Sequence, residues 1–166
     1  MKNIILIGMP GCGKTTIGKE IASQLGMDFF DCDIEITKKQ GIPIPQIFEE
    51  QGEEYFRNLE TQTLKTQLPA SNCIISTGGG IVERPENVEL LQKSGMVVFI
   101  NRPIEKIQGD IDTSNRPLLK SGADRLAALY KRRINLYKAA CHIEVENTGA
   151  ISETVLKIID EVKKNG

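Results

Sequence analysis

The chain has 166 residues, 40% apolar and 26% charged, with a formal net charge of −1. That length holds one domain with a core of its own, and the near-neutral balance excludes a global field that would draw the chain to nucleic acid or an anionic membrane. Cys12, Cys32, Cys73 and Cys141 show no C-x-x-C spacing and there is one histidine, so neither a zinc site nor a disulfide framework is expected, and the thiols suit a reducing cytosol.

In chain order, residues 3–7 are apolar throughout and predict a buried strand. Residues 8–15 follow directly and read Gly-Met-Pro-Gly-Cys-Gly-Lys-Thr. This is the phosphate-loop pattern G-x-x-x-x-G-K-[ST] in the strand-then-helix setting it requires. Its glycines let backbone N–H groups turn toward an anion, and the following helix offers its positive N-terminal end to the same anion. Lys14 is a mobile charge for the outer phosphates and Thr15 a hydroxyl for magnesium. A helix is predicted over 14–25, stopped by Gly26, and a short strand over 28–31. Helical spacing covers 33–40 and, after Ile42-Pro43-Ile44-Pro45, 46–68. A third strand over 73–76 runs into Thr77-Gly78-Gly79-Gly80. Pro85 opens a helix that Gly95 ends, and 96–100 is a fourth strand. A short helix follows Pro103, residues 109–122 are polar, 123–140 are strongly helical, 142–146 form a fifth strand, and a last helix covers 151–164. No stretch has the length of a membrane span or a signal-peptide core.

Apolar strands joined by helices mean a parallel sheet covered on both faces, with ligands at the carboxyl ends of the strands. The third strand ends in Ser76-Thr77, without the carboxylate that many phosphate-loop proteins place there for magnesium. Asp31 and Asp33, ending the second strand, are the nearest substitutes. Asp31 is expected to work with Thr15 around the metal, leaving Asp33 to accept a proton from an acceptor hydroxyl. Either acid could instead cap the next helix. Three successive glycines point to close approach of a small ligand to bare backbone, or to a tight turn with positive φ. Arg57, with Glu60 at i+3, is a surface pair or a fork aimed at a carboxylate. Arg133 and Arg132 are ambiguous by spacing alone. Cys12 is an activated thiol at a helix N-terminus or a small residue that fits.

Taken together, the run Gly8–Gly18, Asp31-Cys32-Asp33, Tyr55-Phe56-Arg57-Asn58-Leu59-Glu60, Ser76-Thr77-Gly78-Gly79-Gly80-Ile81-Val82, Asn115-Arg116-Pro117-Leu118-Leu119 and Arg133-x-x-x-Tyr137 resembles the shikimate kinase family over essentially the whole chain. The resemblance implies an α/β, three-layer P-loop kinase fold: a five-stranded parallel sheet of order 2-3-1-4-5, helices on both faces and a mobile lid. It implies one domain over 1–166, with a substrate-binding region about 32–60 and a lid about 109–121. The implied reaction is phosphorylation of the 3-hydroxyl of shikimate by ATP with Mg2+, in the cytoplasm, by a monomer with no nucleic-acid or membrane partner. Carried over by position, Asp33, Lys14 and Arg116 are catalytic. Asp33, Arg57, Gly79, Gly80 and Arg133 bind shikimate. Gly11, Cys12, Gly13, Lys14, Thr15, Thr16 and Arg116 hold the nucleotide, and Thr15 and Asp31 serve the metal.

The chain departs from the family at Gln108-Gly109, where an adenine-packing arginine is usual, at Asn135 in place of a proline, and at Lys138-Ala139-Ala140 in place of acidic residues. Two rivals remain at this point. One is a kinase for another hydroxylated acid such as gluconate. The other is a nucleotide-dependent regulatory module without catalysis.

Overall fold

The first strand, β1 (Asn3–Ile7), is buried along its whole length and forms the centre of the sheet. The computed structural model describes the backbone of residues 1–113 and 120–166 and the side chains of 1–110 and 122–166. Around β1 stand β2 (Asp28–Asp31), β3 (Cys73–Ser76), β4 (Gly95–Asn101) and β5 (Ile143–Glu146), all parallel, in the order β2-β3-β1-β4-β5. Register pairs Ile5 with Ile75 and Val97, so the three central strands run in step, with β4 continuing past the end of β1. Asn3 sets that register from the other end. Its side chain donates to the Pro69 and Ser94 carbonyls at 2.7 and 3.2 Å and accepts from the Cys73 amide at 3.0 Å.

One face carries α1 (Lys14–Leu25) and α8 (Ile151–Asn165). The other carries α4 (Glu53–Gln67), α5 (Pro85–Ser94) and α7 (Lys120–Ala140), with α6 (Ile104–Thr113) against α7. The predicted three-layer fold and strand order are those observed. No helix among the described residues is long and apolar enough to cross a membrane.

Local differences have physical causes. The helix expected over 46–68 is two helices, α3 (Ile44–Gln51) and α4, broken at Gly52. Gly52 has φ 87° and ψ 170°, outside helical space and easy only for glycine. Pro45 does not delay α3, because proline fits the first turn, where its missing N–H has no helical partner. Gly95 opens β4 instead of merely ending α5. A short 3-10 turn, Ile81–Glu83, follows the glycines.

Apart from the main core, Ile36, Ile47 and Phe56 form a second buried cluster with Ile42, Ile44, Phe48 and Leu59 around it. It ties α2 (Cys32–Gln40), α3 and α4 into a unit beside the carboxyl end of the sheet.

Gly18 seats α1 on that sheet. A Cβ there would lie 2.8 Å from the Phe29 ring and 3.1 Å from Leu6. Gly18→Ala is expected to cost about 1–3 kcal/mol through overpacking, exceeding the roughly 1 kcal/mol gained in helix propensity. Urea denaturation measures the difference, and a net stabilisation would refute the close packing.

Candidate functional site

The phosphate loop leaves β1 and turns through Gly11 and Gly13, at φ 81° and 100°, where a side chain would be strained. Gly13 caps α1 without a side chain, and no acid stands in the first helical turn. The unpaired amides at that end, with the helix dipole, make an anion site. Lys14 is buried, and its Nζ donates to the Gly8 and Met9 carbonyls at 2.7 and 2.9 Å. Asn147 braces the loop from the end of β5. Its amide donates to the Cys12 carbonyl at 2.9 Å, while Thr154 holds its oxygen. Cys12 itself is wholly buried, its amide donating to Met9, so the thiol faces the core.

Asp31 caps the next helix and also lies beside Thr15. One oxygen caps α2, accepting from the Asp33 and Ile34 amides at 3.0 and 3.2 Å. The other accepts from the Thr15 hydroxyl at 3.1 Å. A hydroxyl and a carboxylate side by side suit a magnesium ion, which takes hard oxygen donors and keeps waters and phosphate oxygens for the rest of its shell. Thr16 and Thr15 are both exposed beside the loop, in a cavity of about 390 Å³ that also borders Lys14 and Asp31.

A second, open cavity of about 690 Å³ adjoins it, between the α2–α4 unit and α7. The two share Pro10, Asp33, Gly78 and Gly79 as walls. Arg57, Glu60, Arg133 and Gly80 line the second. Arg57 donates to Glu60 at 2.6 Å, and the surrounding carboxylates outweigh the burial that opposes its charge, raising its pKa further. Burial pushes the Glu60 carboxyl above its ordinary range despite Arg57. Burial also pushes the neighbouring Cys32 thiol well up, with Asp33, Asp31 and Glu60 adding to it. Among the described residues, four buried polar atoms have no hydrogen-bond partner: Asp33 Oδ1, Glu60 Oε2, Arg57 Nε and Arg133 Nε. All four belong to side chains lining this one cavity.

Burial separates the two adjacent arginines: the Arg133 side chain is 5% exposed and that of Arg132 58%. Successive helical residues point about 100° apart, so one faces the cavity and the other its rim. Tyr137, one turn on, stacks on Phe99 and donates to the Gly79 carbonyl at 2.6 Å.

The glycines do not make a left-handed turn, since none of the three has positive φ. They make room for other side chains. A Cβ on Gly78 would lie 2.8 Å from Glu60 Oε2 and 3.1 Å from Asp33 Oδ1, one on Gly79 would lie 2.6 Å from the Pro10 ring, and one on Gly80 would overlap the Arg57 guanidinium.

Arg116 and the middle of the expected lid, 114–119, lie outside the described residues. Leading toward it, α6 is anchored by Arg102, which binds Asp110 through two nitrogens at 2.9 and 3.1 Å and donates to the Asn147 carbonyl at 2.8 Å. A side chain at Gly109 would meet nothing within 4 Å. Glu83, which the sequence did not single out, reaches three arginines of the second cavity. Only its place just after the glycines could have marked it.

The family model for shikimate kinase matches residues 10–163. The chain is 50% identical over 165 residues to a shikimate kinase of Clostridium botulinum (strain Eklund 17B / Type B), covering 99% of this chain and 97% of that one. It is similar in structure to the shikimate kinase from Acinetobacter baumannii in complex with shikimate, with a TM-score of 0.90, 37% identity and 99% and 94% of the two chains covered. The crystal structure of the shikimate kinase from Aquifex aeolicus matches with a TM-score of 0.86, 36% identity and 98% and 97% covered.

Burial, with Asp31 adding to it, pushes the Asp33 carboxyl above its ordinary range against the pull of Lys14 and Arg57. The folded chain therefore holds this proton more tightly than the unfolded chain, and stability falls as pH rises through the raised value. Asp33→Asn is expected to unfold at a higher temperature than the parent at neutral pH, with the gain fading as pH drops below the ordinary carboxylate range. A melting temperature at neutral pH no higher than the parent's would show that Asp33 is not held at a cost.

Proposed function

The chain belongs to the shikimate kinase family, and from that premise we propose that Asp33 meets the 3-hydroxyl of shikimate as it takes the γ-phosphoryl group of ATP. The observation that supports this most is the shared wall. Asp33 stands between the cavity at the phosphate loop and a cavity whose lining includes Arg57 and Arg133. Phosphoryl transfer needs an acceptor oxygen and the outer phosphate to meet, and little covalent work from the protein beyond placing them.

In this reading, the ATP phosphates lie on the amides of Gly11, Gly13 and the first turn of α1, in the loop that Cys12 closes by its bond to Met9, with Lys14 swinging from its loop carbonyls to the outer phosphates. Thr15 and Asp31 hold magnesium, which spreads the charge of the phosphate oxygens when bound. The shikimate carboxylate, a planar anion, suits the guanidinium forks of Arg57 and Arg133. Its ring then lies along Gly79 and Gly80. Asp33 Oδ1, buried and unpartnered, accepts the proton of the reacting hydroxyl. The raised affinity of Asp33 for a proton makes it a better base than an exposed aspartate. Arg116, in the lid about 109–121, is assigned to the transferring phosphate.

Two substitutions test the assignment in steady-state assays of ADP release with shikimate. Asp33→Asn is expected to lower kcat by about 10²–10⁴-fold, the usual contribution of a positioned base. Arg57→Ala is expected to raise KM for shikimate by about tenfold or more, as loss of a charged hydrogen bond costs about 1.5–3 kcal/mol. Near-parental kcat in the first would remove Asp33 as base. Unaltered KM in the second would remove the carboxylate site.

A further inference from the structure

Glu83 sits in the 3-10 turn directly after the glycines, and its carboxylate reaches three guanidiniums. Its Oε2 accepts from Arg133 Nη2 at 3.3 Å and lies 3.6 Å from Arg57 Nη2, while its Oε1 pairs with Arg132. Arg57 stands on α4 and Arg133 on α7, so Glu83 joins two elements that meet across the cavity. The other acids on Arg57, Glu53 and Glu60, belong to α4 itself. Among the described residues, only Glu83 pairs with both arginines.

Both guanidiniums are largely shielded, with side chains 12% and 5% exposed. Two such cations at the wall of one cavity repel each other, and poor screening makes the repulsion strong. A carboxylate between them removes it. Although burial alone would push Glu83 up, Arg133 and Arg132 hold its carboxyl below the ordinary range, so it keeps its charge into mildly acidic conditions. Contact is through Nη2 in both arginines, which leaves the Nε of each unspent.

We propose that Glu83 is a positioning residue for the acceptor: it cross-links Arg57 and Arg133 through their Nη2 groups and so fixes the spacing of the two donors that receive the shikimate carboxylate. This rests on the assignment of those arginines made above. Glu83 itself touches neither the hydroxyl nor the phosphates. Its effect therefore falls on acceptor binding and leaves the transfer step and the nucleotide site alone.

The test is calorimetric titration of shikimate into the parent, Glu83→Gln, Glu83→Asp and Arg57→Ala, with KM and kcat measured for both substrates. Glu83→Gln keeps the shape and removes the charge. It is expected to raise both Kd and KM for shikimate about tenfold, with kcat and KM for ATP within about threefold of the parent. Glu83→Asp keeps the charge with a shorter reach and is expected to fall between the two. Unchanged shikimate affinity in Glu83→Gln overturns the proposal. Tighter affinity also overturns it, showing Glu83 to be an internal rival of the substrate anion. If Glu83→Gln does not fold, parental affinity in Glu83→Asp overturns it instead. Arg57→Ala separates the levels. Unchanged affinity there defeats the carboxylate site itself, whereas a loss there without one in Glu83→Gln defeats only the role of Glu83.

Discussion

Three successive residues without side chains, at the carboxyl end of β3, set the spacing of everything in the site. Gly78 admits the carboxylates of Asp33 and Glu60, Gly79 admits the ring of Pro10 from the phosphate loop, and Gly80 admits the guanidinium of Arg57. Three elements close on one short stretch of backbone because nothing projects from it. A methyl group at any of these positions would push an element outward, and closely packed interiors cannot absorb that freely. Tyr137 fixes the same stretch from the far side by holding the Gly79 carbonyl. A displacement of about 1 Å between reacting groups can cost about 10²-fold in rate. The glycine row thus acts on chemistry through distance, although it carries no chemical group.

Much of this was legible in the sequence, for reasons that differ by residue. The phosphate loop reads directly because its fold is local: eight residues, a strand before and a helix after. The sheet order is a global property, and it came through resemblance to a family. Asp31 and Asp33 were visible as strand-end acids. Arg133 could not be told from Arg132, since burial of a helical residue depends on what packs against the helix. The glycines are legible as unusual, but the side chains they accommodate are not, because those come from distant parts of the chain. The break at Gly52 is not legible, because a single glycine inside an amphipathic pattern is often tolerated. Glu83 was invisible for a simpler reason: its partners lie 26 and 50 positions further along or back in the chain.

The packing divides labour between two cores. The large one holds the sheet, and with it the phosphate loop and the ends of β2 and β3. The small one, centred on Ile36, Ile47 and Phe56, holds α2–α4 and so carries Arg57 and Glu60. Asp33 stands on the chain between them, in the first turn of α2, which Asp31 caps from the end of β2. That place suits the proposed role of a group that meets both the phosphate and the acceptor. Its position is fixed from the sheet by the cap, while its surroundings are completed by the smaller unit.

The cost of this arrangement is concentrated where the ligand goes. An unpartnered buried polar group costs about 1–3 kcal/mol, more when charged. Among the described residues, four such atoms, two on carboxylates and two on guanidiniums, belong to side chains lining one cavity. In an apolar core they would be defects without compensation. Here two are acceptors and two are donors, a set that suits the hydroxyls and carboxylate proposed above to bind there. The main core, with β1 and its neighbours almost fully buried, supplies the stability that lets the site stay unsatisfied. On the proposed reading, a ligand that draws those side chains to itself regains what folding had to forgo.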